Sequence, residues 1–152
     1  MTIPTPTFMD IAFAEAEAAA ARGEVPVGAV IVDPADGTIV ARAGNRTEEL
    51  ADPSAHAELL AIRQACSLRG SPRLPGLDLY VTLEPCAMCA AAISFARLRR
   101  LYFAAYDPKG GAVDHGPRFF TQPTCHHAPD SYGGIQESRG SALLRDFFRE
   151  RR

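Results

Sequence analysis

Two stretches of this chain could do chemistry together, Glu84-Pro85-Cys86-Ala87-Met88-Cys89 and, upstream, His56-Ala57-Glu58. Thiols three residues apart share one face of a helix, with Cβ atoms about 5–6 Å apart, so both sulfurs can reach one metal ion. Pro85 suits a first helical turn, where its missing N–H costs nothing. Cys86 then falls at a helix N-terminus, where the positive end of the dipole favours thiolate over thiol. His56 supplies a third ligand, and Glu58 is placed to act on whatever fills a fourth position. Three protein ligands and one open place describe catalytic rather than structural zinc.

The chemistry this permits is hydrolytic. Zinc held by two thiolates and a neutral imidazole lowers the pKa of water, and Glu58 would take the proton. The resulting zinc-bound hydroxide can attack a carbon bearing an exocyclic amine, with the same carboxyl later protonating the departing amine. His-x-Glu followed by Pro-Cys-x-x-Cys is the zinc deaminase signature, its Glu a proton shuttle and not a ligand. A structural zinc would instead need a fourth ligand, which Cys125, His126 or His127 could provide. Those three could also hold a second metal or simply lie at the surface.

Elements must bring the two stretches together. Thr7 and Asp10 form a capping-box-like start to a helix that Gly23 stops. Residues 25–32 and 38–43 read as a β-hairpin around an Asp-Gly turn signal. Asp52-Pro53-Ser54 precedes a helix over 55–68, with His56 and Glu58 in its first turn. A strand over 77–83 runs into the helix 86–96, followed by a strand over 100–106, an order that implies a right-handed crossover and a parallel pair. Residues 107–134 read as a long loop, which in a compact domain usually serves function. A last helix spans about 141–151. The expected architecture is α/β, a three-layer α/β/α sandwich around a mixed sheet, with ligands beyond the carboxyl ends of the parallel strands.

Composition sets the bounds. The 152 residues are 47% hydrophobic and 22% charged, with net charge −2, as expected of one globular domain over 1–152. No apolar window of about 18 residues suggests a membrane span, and Met1–Asp10 lacks the pattern of an export signal, so a cytoplasmic location is expected. Residues 1–50 hold eight acids and three bases, the remainder ten acids and thirteen bases. The bases include Arg97, Arg99, Arg100, Lys109 and Arg118, then Arg145, Arg149, Arg151 and Arg152. Such groups are either a phosphate-holding face or a solvated surface.

Six blocks carry a resemblance over nearly the whole chain: Glu24-Val25-Pro26-Val27-Gly28-Ala29-Val30, Gly44-Asn45-Arg46, Ala55-His56-Ala57-Glu58, Leu79 to Cys89, Asp107-Pro108-Lys109-Gly110-Gly111-Ala112 and Asp146-Phe147-Phe148-Arg149. The chain resembles the cytidine/deoxycytidylate deaminase superfamily and, within it, the bacterial tRNA-specific adenosine deaminases, which convert wobble adenosine to inosine. The resemblance implies a cytidine deaminase-like sheet of about five strands and one Zn2+ per subunit, held by His56, Cys86 and Cys89, with Glu58 as proton shuttle. It implies that Asn45 hydrogen-bonds the purine, that Val25 and Ala57 line the base pocket and that Asp107 lies near the ribose. Phe147, Phe148 and Arg149 would close on a tRNA anticodon stem-loop, in a homodimer.

By residue type alone, other readings stand beside these. Asn45 is equally a turn former. Phe147 and Phe148 are adjacent, so one faces the core and the other is exposed or stacks on an unstacked base. Arg149, Arg151 and Arg152 also suit a helix C-terminus. The zinc motif itself fits a deaminase of free guanine, cytosine or cytidine, and a zinc-stabilised RNA-binding module is a reading from another class.

Overall fold

A computed structural model describes residues 7–151; residues 1–6, part of the start read as lacking an export signal, and Arg152 lie outside the described residues. The elements run α1 (Phe8–Ala21), β1 (Gly28–Asp33), β2 (Thr38–Gly44), α2 (Ala57–Arg69), β3 (Asp78–Leu83), α3 (Ala87–Phe95), β4 (Arg100–Ala105), β5 (Asp130–Tyr132) and α4 (Glu137–Glu150). One mixed sheet has the order β2-β1-β3-β4-β5. β1 is antiparallel to β2 and to β3, whereas β4 is parallel to both β3 and β5. Helices α2 and α3 cover one face and α1 and α4 the other, so the three-layer expectation holds.

Each face follows from period-two alternation. In β4, Leu101 and Phe103 join the core under α2 and α3, while Ala104 packs on the α1 side and Tyr102 rests against it. Helix α1 opens with the expected capping box, Thr7 Oγ1 accepting from the Asp10 N–H at 3.1 Å and Asp10 Oδ2 from the Thr7 N–H at 2.8 Å. Its buried face of Ala12, Ala16 and Ala19 lets the helix lie almost on the strand backbone. Gly28 makes that approach possible, since a Cβ there would sit 1.9 Å from the Ala12 carbonyl oxygen.

Three boundaries differ from expectation. The long loop contains β5, which pairs with the start of β4 through Asp130, Ser131 and Tyr132. Three residues between Pro129 and Gly133 are too few to show alternation. Helix α4 begins at Glu137 instead of near 141, running through Gly140, which is buried close to Ala105 Cβ and the Thr82 carbonyl. A side chain there would be crowded, so a residue that reads as a helix breaker is the one that lets α4 dock. Finally, β1 begins at Gly28, leaving Val25-Pro26-Val27 outside the strand.

Candidate metal centre and cleft

His56 is the N-cap of α2 and Cys86 the N-cap of α3, and neither side chain caps its own helix. An N-cap side chain ordinarily accepts an N–H from the first turn. Here the two turn towards each other. His56 Nδ1 lies 3.6 Å from Cys86 Sγ and 3.7 Å from Cys89 Sγ, and the three donor atoms lie within 4.8 Å of one another. Tetrahedral zinc, with Zn–S about 2.3 Å and Zn–N about 2.0–2.1 Å, separates sulfur and nitrogen ligands by about 3.6 Å. Donor types and spacing both fit zinc. Pro85 lies outside α3, contrary to the expectation of a first-turn proline, and His56 likewise sits just before the first turn of α2.

Electrostatics prepare the same site. The Cys89 thiol donating to Cys86, with the His56 ring adding to the pull, outweighs burial and holds the Cys86 thiol down at about 4. Cys89, as donor to Cys86 and buried, is pushed up. His56 is raised by its bond to Cys86, against burial. The N-terminus of α3 adds its dipole to the stabilisation of a thiolate. Glu58 lies in the first turn of α2, 4% exposed. Burial pushes its carboxyl up to about 7, reinforced by the Cys86 charge and opposed by its own backbone N–H and His56.

A cleft of about 350 Å³ opens over these groups, with Asn45, His56, Glu58, Cys86 and Asp107 in its lining. It lies past the carboxyl ends of β3 and β4, as expected of a parallel pair. Val25 is in the wall, together with Val27, Thr47, Leu83, Glu84 and Gly110, to which residue type and spacing assign no part in the site. Ala57 is buried behind the wall and not in it; its N–H donates to Asn45 Oδ1 at 2.9 Å. Asn45 follows β2 directly, its N–H donating to the Val27 carbonyl at 3.1 Å, and its side chain is a fixed amide whose nitrogen remains to donate.

Two buried glutamates hold the walls. Glu24 accepts the N–H groups of Glu48 and Glu49 and the Thr47 hydroxyl. Glu84 accepts from Asp107, Val113, Asp114 and His115. Burial alone would raise both carboxyls, yet these donors bring each below its usual value.

Other expected contacts lie elsewhere. Phe147 is buried, with the Arg151 guanidinium 3.8 Å from its ring centre, so it is a core residue and offers no stacking face. Phe148 is 49% exposed. Arg149 is exposed and reaches Asp146 at 3.9 Å. Cys125 Sγ contacts Ser94 Oγ and donates to the His127 carbonyl, while His127 Nε2 bonds the Leu98 carbonyl. Among the described residues, only His56, Cys86 and Cys89 cluster as metal ligands, so the 125–127 segment supplies neither a fourth ligand nor a second site. The basic residues do not make one patch either. Arg99 pairs with Asp78 at 2.7 Å and Arg100 leans on Tyr132 at the start of β4, whereas Lys109 follows its far end.

The family described as the cytidine and deoxycytidylate deaminase zinc-binding region matches residues 4–105, and so contains the whole donor set and Glu58. The chain belongs to that family. This deaminase is 64% identical over 145 residues to the tRNA-specific adenosine deaminase of Agrobacterium fabrum, covering 95% of this chain and 94% of that one. A structure from work on A-to-I editing by tRNA:A34 deaminases at the wobble position of transfer RNA matches with TM-score 0.87 at 64% identity, over 90% of this chain and 98% of that chain. The guanine deaminase of Bacillus subtilis is more distant, with TM-score 0.65 and 31% identity over 97% of this chain and 95% of that one. The zinc-binding region and the donor geometry together identify the cofactor as zinc.

Proposed function

We propose that this deaminase hydrolyses the 6-amino group of the wobble adenosine in a tRNA anticodon, giving inosine and ammonia. The observation that carries the reading is the convergence of His56, Cys86 and Cys89 with buried Glu58 and an anchored Asn45 at one cleft. The 64% identical relatives support the choice of substrate. Zinc bound by the three donors supplies Lewis acidity that makes water nucleophilic near neutral pH.

The remaining work falls to the chain. Glu58 accepts the proton of the attacking water and delivers it to N1 of the purine beside the attacked C6, then takes the proton of the new C6 hydroxyl and gives it to the amine as the C6–N bond breaks. Its burial keeps competing water off the carboxyl. Asn45 Nδ2 donates to an acceptor on the base edge, the amide being oriented by the bond from Ala57 to Oδ1. Val25, Val27 and Leu83 give the base apolar walls. Asp107 meets the ribose, and Phe148 and Arg149 reach flanking nucleotides by stacking and phosphate contact. Phe147 supports that helix from below, and Ala57 acts through its backbone.

The sheet and its four helices act as one deaminase domain, cytoplasmic in location; among the described residues no helix is long and apolar enough to cross a membrane. A homodimer is supported by Phe95, 73% exposed, and Met88 on the same helix, which a second copy would cover. Inosine formation on an anticodon stem-loop, run beside free guanine, cytosine and cytidine, tests the substrate. Turnover of guanine with none on the RNA overturns it.

A further inference from the structure

The Glu84 carboxylate is fully enclosed, and no lysine or arginine among the described residues pairs with it; its one ring partner is His115. Its Oε1 accepts the Asp107 N–H at 2.9 Å and the His115 ring at 2.8 Å; its Oε2 accepts the N–H groups of Val113, Asp114 and His115 at 3.1, 2.9 and 3.2 Å. A carboxylate offers about four lone-pair sites, so this one is saturated, and His115 must carry its proton on Nδ1. Every donor belongs to the segment between β4 and β5. None lies in a helix or strand.

That segment is a wall of the cleft. Asp107 and Gly110 line it, and Asp107 Oδ1 turns back to accept the Lys109 and Gly110 N–H groups at 3.2 and 2.9 Å. Gly111 passes so near that a Cβ would stand 2.5 Å from Glu84 Cδ and from the Asp107 carbonyl oxygen. The loop is thus wrapped on one buried charge, and Val113 alone of the donor residues also reaches the hydrophobic core. At its other end Glu84 leads straight through Pro85 to Cys86, and the Pro85 carbonyl accepts the Ala112 N–H at 2.9 Å. One short piece of chain sets both a metal ligand and the wall facing it.

We infer that Glu84 is a positioning residue for the substrate's sugar, holding the 107–115 wall at the distance from the metal centre at which Asp107 meets the ribose. The inference rests on the proposed contact between Asp107 and the ribose. Its mark is coupling. If Glu84 acts through Asp107, its replacement raises KM for the RNA only while Asp107 is present.

The test uses zinc-loaded full-length protein and an anticodon stem-loop. Glu84→Gln keeps the length of the side chain but removes the charge that five donors face, and KM rises roughly tenfold with zinc content unchanged and the single-turnover rate at saturating RNA within about threefold. In an Asp107→Ala background the same change leaves KM within about twofold of Asp107→Ala alone. His115→Ala removes a partly exposed ring and keeps the test open should Glu84→Gln fail to fold; it raises KM about threefold, again only with Asp107 present. An unchanged KM, or additive costs in the double variants, overturns the inference alone. Wild-type protein inert on the RNA overturns the substrate reading, and the inference with it.

Discussion

Asn45 Oδ1 accepts the backbone N–H of Ala57 at 2.9 Å, so an amide in the cleft lining also caps the helix that carries Glu58. The first N–H groups of a helix have no intrahelical partner. Here a residue 12 positions upstream supplies one. The proposed base contact through Nδ2 and the aim of α2 through Oδ1 therefore depend on one side chain.

Asn45→Asp separates these roles, since it keeps the acceptor and loses the Nδ2 donor. It should melt close to wild type while kcat/KM on the stem-loop falls roughly 10- to 100-fold. Asn45→Ala should lose both, with about 1–2 kcal/mol of stability gone as well. Thermal melts beside steady-state kinetics distinguish the two. Equal losses of activity and stability in both variants would make Asn45 a structural residue only.

Glu58→Gln should retain one zinc per chain and lose about 10²–10⁴-fold in turnover, the usual contribution of a positioned acid–base group. It should melt no lower than wild type, because burying a neutral amide costs less than burying a charge. Metal analysis with ammonia release checks both points. Loss of zinc would make Glu58 a ligand.

Chelation should abolish activity, and zinc should restore it with a rise in melting temperature, since a ligand that binds only the folded state stabilises it. Cys86→Ser and Cys89→Ser should each fail to hold the metal. Cys125→Ala should hold it fully, because that sulfur is engaged with Ser94 and the His127 carbonyl. Zinc stoichiometry across the three variants is the measurement.

The metal donors were legible because their chemistry constrains spacing: two thiols three apart, and a His two residues before a Glu. Their exact helical places were not, since His56 and Cys86 are N-caps with extended backbones and only the fold shows that. Strand β5 is too short to carry a period, and Gly140 hid the first turn of α4 by serving a close contact. Glu24 and Glu84 stand in the matching blocks yet carry no assigned role, for another reason. A glutamate's type marks it as exposed, and what buries it is a loop's supply of N–H groups, which no local pattern encodes.

Glu24 makes stability depend on pH in a definite direction. Its carboxyl is below the ordinary value of 4.5 despite burial, because Glu49, Glu48 and Thr47 donate to it and Arg22 is near. A depressed folded pKa contributes stability that is fully present above the unfolded value and is lost as pH falls through the folded one. Wild type should therefore weaken as pH drops below about 4.5, and Glu24→Gln should lose part of that slope. At pH 7 the variant should be about 1–3 kcal/mol less stable, as buried donors lose a charged acceptor. Denaturant titrations at pH 7 and pH 4 decide it, and an unchanged slope would place the effect elsewhere.

Phe147 and Phe148 stand side by side with rings at 81°, and the helix sorts them into opposite jobs. Phe147 is 7% exposed under Arg151, so Phe147→Ala should cost about 3–5 kcal/mol, the usual cavity cost of truncating a buried phenylalanine. Phe148 buries little, and its truncation should leave the melting temperature within a degree or two of wild type, as expected of an exposed position. If it stacks on an unstacked anticodon base, the loss should appear as a KM roughly 10-fold higher on the stem-loop, within the 1–3 kcal/mol of one stacked base. With free adenosine as substrate there is no flanking base to lose, and Phe148→Ala should behave as wild type. An equal effect on both substrates would mean that the ring shapes the cleft itself and touches no neighbouring nucleotide.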